Sequence, residues 1–197
     1  MDNFKHAIVI TGSLGSGKST VSNLLKERGL RVIDADEISH QILDNLSDEI
    51  SVMFGGEFIK DDKPDREAIG KLVFNDKTEL KKLESLRHPK IKSEILTQAQ
   101  NLEKNNEIYF VDIPLYYESA NYDEFKRVLV VYAPKDTLVR RVMRRNLLTK
   151  DEALARVNLQ IDIETKRNLA HFVIDNSKNL DDTQNQIDTF LNHLLKK

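Results

Sequence analysis

The sequence predicts an α/β fold: a doubly wound, parallel, five-stranded sheet with two helical insertions. Three observations support this prediction. Short apolar runs rich in β-branched residues recur along the chain, helical patterns separate them, and a glycine-rich segment follows the first run. Strands that lack polar alternation are typical of parallel sheets covered by helices on both faces. Strand–helix alternation implies right-handed βαβ units.

Length and composition limit the class of protein. A chain of 197 residues can fill one α/β core with smaller inserted modules. The formal net charge of -2 argues against a general nucleic-acid binder, and the lack of cysteine excludes disulfides, thiolate-held zinc and cysteine nucleophiles. The N-terminus does not resemble a secretory signal, and no apolar stretch approaches the roughly 18 residues of a membrane span. We expect a cytoplasmic protein with neither nucleic-acid nor membrane partners.

The individual elements follow from the apolar pattern. Val21, Leu24 and Leu25 share one face of a first helix, and Gly29 sits where its C-cap belongs. A last helix presents a stripe that should pack onto the sheet, formed by Ile187, Phe190, Leu191 and Leu194. We predict five strands, at Ala7–Ile10, Arg31–Ile33, Ile108–Val111, Val128–Tyr132 and Phe172–Ile174.

Two connections are too long for plain crossovers. About seventy residues, Glu37–Glu107, separate the second and third strands, and their helical signals indicate a helical module because long structureless loops are rare in compact domains. The second connection, Pro134–His171, should hold two or three helices. Thr149 with Glu152 fits a capping box at the start of one of them.

The strongest functional signal is a phosphate loop after the first strand. The pattern G-x-x-x-x-G-K-[ST] is met by Gly12-Ser13-Leu14-Gly15-Ser16-Gly17-Lys18-Ser19. Glycines allow a tight turn that aims several N–H groups at one point, and the following helix adds its positive end there. Lys18 supplies a charge for the β- and γ-phosphates, while the Ser19 hydroxyl can bind Mg²⁺. The pattern therefore predicts ATP binding.

Other features separate the classes of phosphate-loop protein. The guanine-reading N-K-x-D pattern of switch GTPases is absent, and the chain continues after Val111 without their D-x-x-G. Motor ATPases generally need a longer chain. A small-molecule kinase with an acceptor module and a lid fits the two insertions better.

Three aspartates follow predicted strands, at the sheet edge where ligands bind. Asp34 and Asp36 should share one face if strand geometry persists across Ala35. We expect Asp36 to accept the proton of the acceptor hydroxyl and Asp34 to orient it or assist the metal, although either could simply cap the next helix. Asp112 is a candidate for the water shell of Mg²⁺, or it could satisfy loop amides.

The second insertion is basic. Residues 138–168 contain eight lysines and arginines against four acidic residues. Arginines folded onto a phosphoryl group stabilise the charge of the transition state, whereas charge runs on helices are usually solvated. Arg141 and Arg145 could face one way together, as could Arg140 and Arg144, and spacing does not choose between the pairs. His88 precedes a proline, which predicts a break between helices and either a substrate contact or an exposed position.

These motifs resemble those of dephospho-CoA kinases, along nearly the whole chain. The segments that carry the resemblance are TGSLGSGKST (11–20), VIDAD (32–36), Asp65-Arg66, HPKI (88–91), VDIPLYYE (111–118), RVMRRN (141–146) and VIDNS (173–177). The resemblance implies a P-loop NTPase fold like that of the nucleoside monophosphate kinases. It further implies a core (1–36, 106–136, 169–197), a CoA-side helical module (37–105) and a lid (137–168).

The resemblance also implies an activity, which is transfer of the γ-phosphate of ATP to the ribose 3′-hydroxyl of dephospho-CoA with Mg²⁺. The implied catalytic residues are Asp36, Lys18 and Arg141. The implied ATP-binding residues are Gly12, Ser13, Gly15, Ser16, Gly17, Lys18, Ser19, Thr20 and Arg145. The implied acceptor-binding residues are Asp34, Asp36, Arg66 and His88, and the implied metal ligands are Ser19 and Asp112. Arg156 and Gln160 continue the lid pattern.

The chain departs from the family pattern at three places. Ser13 stands where a second glycine is common, a position that the phosphate cradle should tolerate, and Tyr116-Tyr117-Glu118 replaces L-F-E. His171 occupies a position where aspartate is common. Two other functions stay open: another small-molecule or nucleoside monophosphate kinase, and a regulatory protein that binds nucleotide without chemistry. Nothing in the sequence demands more than a monomer.

Overall fold

The computed structural model describes residues 4–195, and seven strands and ten helices lie within them. The strands are β1 (Ala7–Gly12), β2 (Val32–Asp34), β3 (Ile59–Lys60), β4 (Lys63–Pro64), β5 (Tyr109–Asp112), β6 (Arg127–Tyr132) and β7 (Phe172–Asp175). The helices are α1 (Lys18–Glu27), α2 (Ala35–Asp44), α3 (Ser47–Phe54), α4 (Arg66–Asn75), α5 (Lys77–Glu103), α6 (Tyr116–Ser119), α7 (Lys135–Asn146), α8 (Lys150–Asn158), α9 (Ile163–Leu169) and α10 (Leu180–Leu195).

The chain divides into two compact units. The sheet unit ends at Ile33 and resumes at Ala99, and the helical unit is Asp34–Gln98. Within residues 4–195, no helix combines the length and the apolarity that crossing a membrane requires.

The main sheet has five parallel strands in the order β2-β5-β1-β6-β7, which confirms the predicted fold class and all five predicted strands. Strand β1 is central, all six of its residues are buried, and it pairs with β5 on one side and β6 on the other. A strand that is packed on both faces and paired at both edges holds the start of the following loop in a fixed position. The phosphate loop therefore leaves the best-buried strand of the sheet.

Helices α1 and α10 cover one face of this sheet. Val21, Leu24 and Leu25 of α1 pack in the same cluster as Ile187 and Leu194 of α10, together with inward residues of β1, β5, β6 and β7. Each fully buried aliphatic side chain of this kind contributes about 1.5–3 kcal/mol to folding. Both predicted helical stripes are confirmed.

The helical unit has a core of its own, formed by Leu43, Leu46, Ile50, Ile69 and Leu83. It also holds a small antiparallel hairpin, β3–β4, that the sequence reasoning missed. Asp61 and Asp62 at its turn both have positive φ, of 50° and 59°. Such a turn matches the twist of a hairpin, but two-residue strands leave no alternation to recognise.

The predicted helix break at His88 and Pro89 is wrong. Helix α5 continues through both residues from Lys77 to Glu103, with Pro89 in its interior. Proline removes one backbone hydrogen bond and normally interrupts a helix. Here the buried side chains of Leu83, Ile91 and Ile95 flank the proline, and their packing keeps the helix in one piece.

Candidate active site

The phosphate loop joins β1 to α1 and depends on two left-handed glycines. Gly15 and Gly17 have φ values of 85° and 87°. A Cβ atom on Gly15 would lie 2.8 Å from the carbonyl oxygen of Leu138, and one on Gly17 would lie 2.0 Å from Nδ2 of Asn176. Ser13 is not among the positive-φ residues, and its buried Oγ has no hydrogen-bond partner within the described part of the chain.

Helix α1 begins without a side-chain cap. Its N-cap is Gly17, which has no side chain to accept a hydrogen bond from the first turn, and that turn contains no acidic residue. The N–H groups of a first helical turn need acceptors from elsewhere, and together with the helix dipole they attract anions. This end of α1 is therefore suited to a phosphate.

The outward carbonyl groups of the loop are held by side chains from distant elements. Lys166 of α9 donates to the Gly12 carbonyl at 3.3 Å. NH1 of Arg141 donates to the carbonyls of both Gly15 and Ser16 at 3.2 Å. Nδ2 of Asn176 donates to the Ser16 carbonyl at 2.8 Å. A loop that turns its N–H groups inward must find donors for its outward carbonyls, and these side chains supply them.

One loop amide also has a side-chain partner. The N–H of Leu14 donates to Oε1 of Gln160 at 2.8 Å, from the turn between α8 and α9. Gln160, which continues the lid pattern of the sequence, therefore contacts the loop directly.

Lys18 forms an ion pair with Asp112, the last residue of β5. The Ser22 hydroxyl donates to Oδ2 of the same carboxylate at 2.5 Å. Both members of the pair are largely shielded from water, so the lysine is held beside the loop by a buried carboxylate. The two hydroxyls of the first helical turn, on Ser19 and Thr20, are exposed.

The four arginines of α7 differ in their surroundings. Arg141 is half-buried, and in addition to its loop contacts its NH2 donates to the Asn176 carbonyl at 2.7 Å. Burial, and secondarily the like charge of Arg140, lowers the pKa of Arg141. Arg140, Arg144 and Arg145 are exposed, and Arg145 donates to Oδ1 of Asn146 at 3.2 Å. The structure thus brings Arg141 to the loop, which spacing alone could not establish.

The expectation that strand geometry continues across Ala35 and places Asp34 and Asp36 on one face is wrong, and the alternative that one of them caps the next helix is confirmed. Strand β2 ends at Asp34, which caps α2: its Oδ1 accepts the N–H groups of Asp36 and Glu37, both at 3.1 Å. Asp36 lies in the first turn of the helix with its side chain exposed. The strand pattern fails because an aspartate at this position satisfies the helix amides better than it continues the strand.

The other predicted acceptor residues also lie in the helical unit. Arg66 begins α4 and forms a two-pronged ion pair with Asp44, with its Nε 3.0 Å from Oδ1 and its NH2 2.6 Å from Oδ2. The Arg66 guanidinium holds the pKa of Asp44 below its usual value. His88 is exposed on α5, and the neighbouring Arg87 donates to the Ser39 side chain.

Sequence reasoning missed several residues that hold the loop. Asn176 lies in the recognised VIDNS segment, so its motif could have indicated it. Glu118 ends the recognised VDIPLYYE segment, so its motif could also have indicated it, but its partner Lys166 gives no local signal, because a lysine on a short charged helix is usually solvated. The predicted capping box, by contrast, is present at the start of α8.

Comparison with known proteins identifies the family. A sequence model of the family described as dephospho-CoA kinase matches residues 6–182. A dephospho-CoA kinase of Helicobacter pylori is 40% identical over 193 residues, spanning 97% of this chain and 98% of the relative. One from Sulfurimonas denitrificans is 42% identical over 194 residues, spanning 98% and 96%.

Solved structures agree with these matches. Dephospho-CoA kinase from Campylobacter jejuni superposes with a TM-score of 0.80 at 38% identity, covering 97% of this chain and 98% of that chain. A shikimate kinase from Acinetobacter baumannii, at 16% identity and a TM-score of 0.54 with 96% and 93% covered, shares the fold alone. On the strength of the full-length relatives and the matched family model, this chain belongs to the dephospho-CoA kinase family.

Proposed function

We propose that this chain transfers the γ-phosphate of ATP to the ribose 3′-hydroxyl of dephospho-CoA, the last step of coenzyme A synthesis. The observation that carries the proposal is the phosphate loop, whose carbonyls are occupied from outside and whose helix end is uncapped. That arrangement leaves the inner N–H groups and the Lys18 ammonium for a polyphosphate. Membership of the family supplies the acceptor.

The proposed step is an in-line displacement at the γ-phosphorus. The acceptor oxygen forms the new O–P bond while the bond from the γ-phosphorus to the bridging β,γ-oxygen breaks, and ADP leaves. Asp36 takes the proton of the hydroxyl, and its exposed carboxylate is open to a substrate. Lys18 and Arg141 stabilise the charge that spreads over the phosphoryl oxygens.

The residues predicted to hold Mg²⁺ fit that ion chemically. Ser19 offers a hydroxyl oxygen in the first turn of α1, and Asp112 offers a carboxylate at the end of β5. Mg²⁺ prefers hard oxygen ligands and usually keeps several waters alongside substrate phosphates, so two protein donors are sufficient. When bound, Mg²⁺ would neutralise part of the negative charge of the phosphates. Asp112 also holds Lys18, so the same carboxylate serves both cations in the proposal.

We assign the acceptor contacts to Asp34, Arg66 and His88, and an ATP contact to Arg145. Support for Arg66 comes from its ion pair with Asp44, which holds the guanidinium in one orientation before any substrate arrives. The proposed organisation has three parts: a core (1–36, 106–136, 169–197), a CoA-side module (37–105) and a lid (137–168). We propose that the protein acts as a monomer.

A panel assay tests the proposal. ADP release is followed with Mg²⁺, ATP and, in turn, dephospho-CoA, nucleoside monophosphates and small sugars. We expect turnover with dephospho-CoA alone, and the product should carry a phosphate at the ribose 3′ position by mass spectrometry and phosphorus NMR. Faster turnover of a nucleotide or a sugar would reject the assignment.

A further inference from the structure

Lys166 is a fully buried lysine for which the proposed reaction has no use. Its side chain is 0% exposed, on α9, and its ammonium lies 2.6 Å from Oε1 of Glu118 on α6. Lysines are almost never fully buried unless they are paired, and a buried pair loses much of its attraction to desolvation. Replacing such a pair with apolar residues is often neutral or stabilising, so stability alone does not explain this one.

The contacts of the pair lead to the phosphate loop. The Lys166 ammonium donates to the Gly12 carbonyl at 3.3 Å, and the same Glu118 oxygen accepts the N–H of Ile161 at 3.1 Å. Ile161 follows Gln160, whose side chain accepts the Leu14 N–H. Gly12 is therefore connected through this pair to the turn between α8 and α9, and Leu14 is connected to the same turn directly by Gln160.

The loop is thus held in two separate halves. Arg141 and Asn176 hold the carbonyls of Gly15 and Ser16, next to the first turn of α1. Lys166 and Gln160 hold the earlier half, from Gly12 to Leu14. The later half carries the amides and the lysine that bind polyphosphate, so ATP affinity depends mainly on it.

We propose that Lys166 and Glu118 are positioning residues for phosphoryl transfer, which hold the first half of the phosphate loop in register with the second. This inference rests on the proposed function. Losing Lys166 removes the donor of the Gly12 carbonyl and breaks the link from that carbonyl to the α8–α9 turn, while the ATP contacts of the second half remain. Misplacing a reacting group by about 1 Å can cost about 10²-fold in rate. Turnover therefore falls while ATP affinity stays close to that of the wild type.

The partly buried carboxylate of Glu118 requires a double variant in the experiment. Its Oε2 is buried without a hydrogen-bond partner among the described residues, so the lysine and one N–H provide all of the compensation for the carboxylate. Lys166→Met consequently leaves a largely buried carboxylate whose remaining donor among the described residues is the N–H of Ile161, and it should lower the melting temperature. The double variant Lys166→Met with Glu118→Gln removes that charge and should regain stability.

The test measures three quantities for the wild type, both single variants and the double variant: melting temperature, MgATP affinity by calorimetry, and kcat with dephospho-CoA. Arg167→Gln, an exposed neighbour on α9, is the matched control and should behave as the wild type. We expect the double variant to melt near the wild-type temperature and bind MgATP normally, yet to keep a kcat lowered by about 10²-fold.

Two outcomes overturn the inference. One is a kcat that recovers together with the melting temperature in the double variant, which would make the pair purely structural. The other is a loss confined to MgATP affinity. Neither outcome resembles failure of the proposed function, in which the wild type itself would bind MgATP but would not phosphorylate dephospho-CoA.

Discussion

The phosphate loop and the predicted acceptor residues are held in place by different means. The loop is tied to α7, α9 and the end of β7 by side chains distant in sequence, several of them buried. The predicted acceptor residues Asp34, Asp36 and Arg66 lie at helix starts, and their contacts are capping bonds or exposed ion pairs. Long-range contacts hold the phosphate loop, whereas mostly local contacts hold the predicted acceptor residues.

We attribute this difference to the ligand proposed for each region. A triphosphate needs many N–H groups fixed toward one point, and fixing them requires partners for every outward carbonyl. A hydroxyl acceptor needs few groups, and these must stay accessible to exchange substrate and product. We therefore expect substitutions at the loop to affect stability and catalysis together, and substitutions at the acceptor residues to affect catalysis with little change in stability.

The largest expected effect is at Lys18. Lys18→Ala should lower kcat/KM by about 10³-fold, since one group that stabilises transition-state charge is worth about that much. It should also lower the melting temperature, because Asp112 loses its cation in a buried position. Steady-state kinetics, calorimetry with MgATP and thermal melts check these outcomes. Lys26→Ala, exposed on the same helix, is the control. Wild-type kinetics in Lys18→Ala would contradict the role of the loop.

Asp36→Asn tests the other side of the comparison. Removing a positioned base should lower kcat by at least about 10²-fold, while ATP binding and the melting temperature stay unchanged. The neighbouring exposed carboxylate offers a matched control in Glu37→Gln, which should keep its activity. If Asp36→Asn turns over normally, the proton acceptor is another group. If the Asp36→Asn variant unfolds, the conclusion that local contacts alone hold this region is wrong.

Asn176→Ala tests whether the phosphate loop depends on side chains that are distant in sequence. The variant loses one of the two donors of the Ser16 carbonyl, and the Thr183 hydroxyl loses its acceptor on Asn176. ATP affinity should fall by about tenfold, the equivalent of one net hydrogen bond. Calorimetry with MgATP measures this change, with the exposed Asn168→Ala as the control. An unaltered affinity would show that Arg141 alone suffices.

The smallest expected effect concerns Asp44, which holds Arg66. Asp44→Asn should raise the KM for dephospho-CoA by a few-fold without altering kcat, because an ion pair between exposed side chains contributes little free energy. Arg66 depresses the pKa of Asp44 below its usual 3.8, so the pair contributes at neutral pH and is lost as the pH falls through the lowered value. The KM effect should therefore be constant from pH 6 to 8. A change in ATP affinity would argue against an acceptor role.

Local signals in the sequence predicted much of this structure. The five strands, the loop between β1 and α1, and the Thr149 capping box depend on short patterns, and all are present. The family and its activity were recognised from motifs of similar length. The roles of the individual site residues, and the division into core, module and lid, stay predictions.

The failures share a physical cause. Helix α5 continues through Pro89 because packing on both sides outweighs one lost hydrogen bond. Asp36 is helical because a neighbouring carboxylate caps α2. The burial of Lys166 depends on a glutamate 48 positions earlier, a pairing that no window of sequence contains. In each case a specific side-chain contact determines the structure, and local sequence patterns do not reveal that contact.

The cap of α2 has a consequence for any mutational screen of this enzyme. One oxygen of Asp34 fixes the backbone of Asp36, so a substitution at Asp34 displaces its neighbour without changing it. A library scored by growth would then report a loss at both aspartates, on either side of Ala35. A substitution at Asp34 would therefore combine two effects: loss of its own proposed acceptor contact and displacement of Asp36, the proposed proton acceptor.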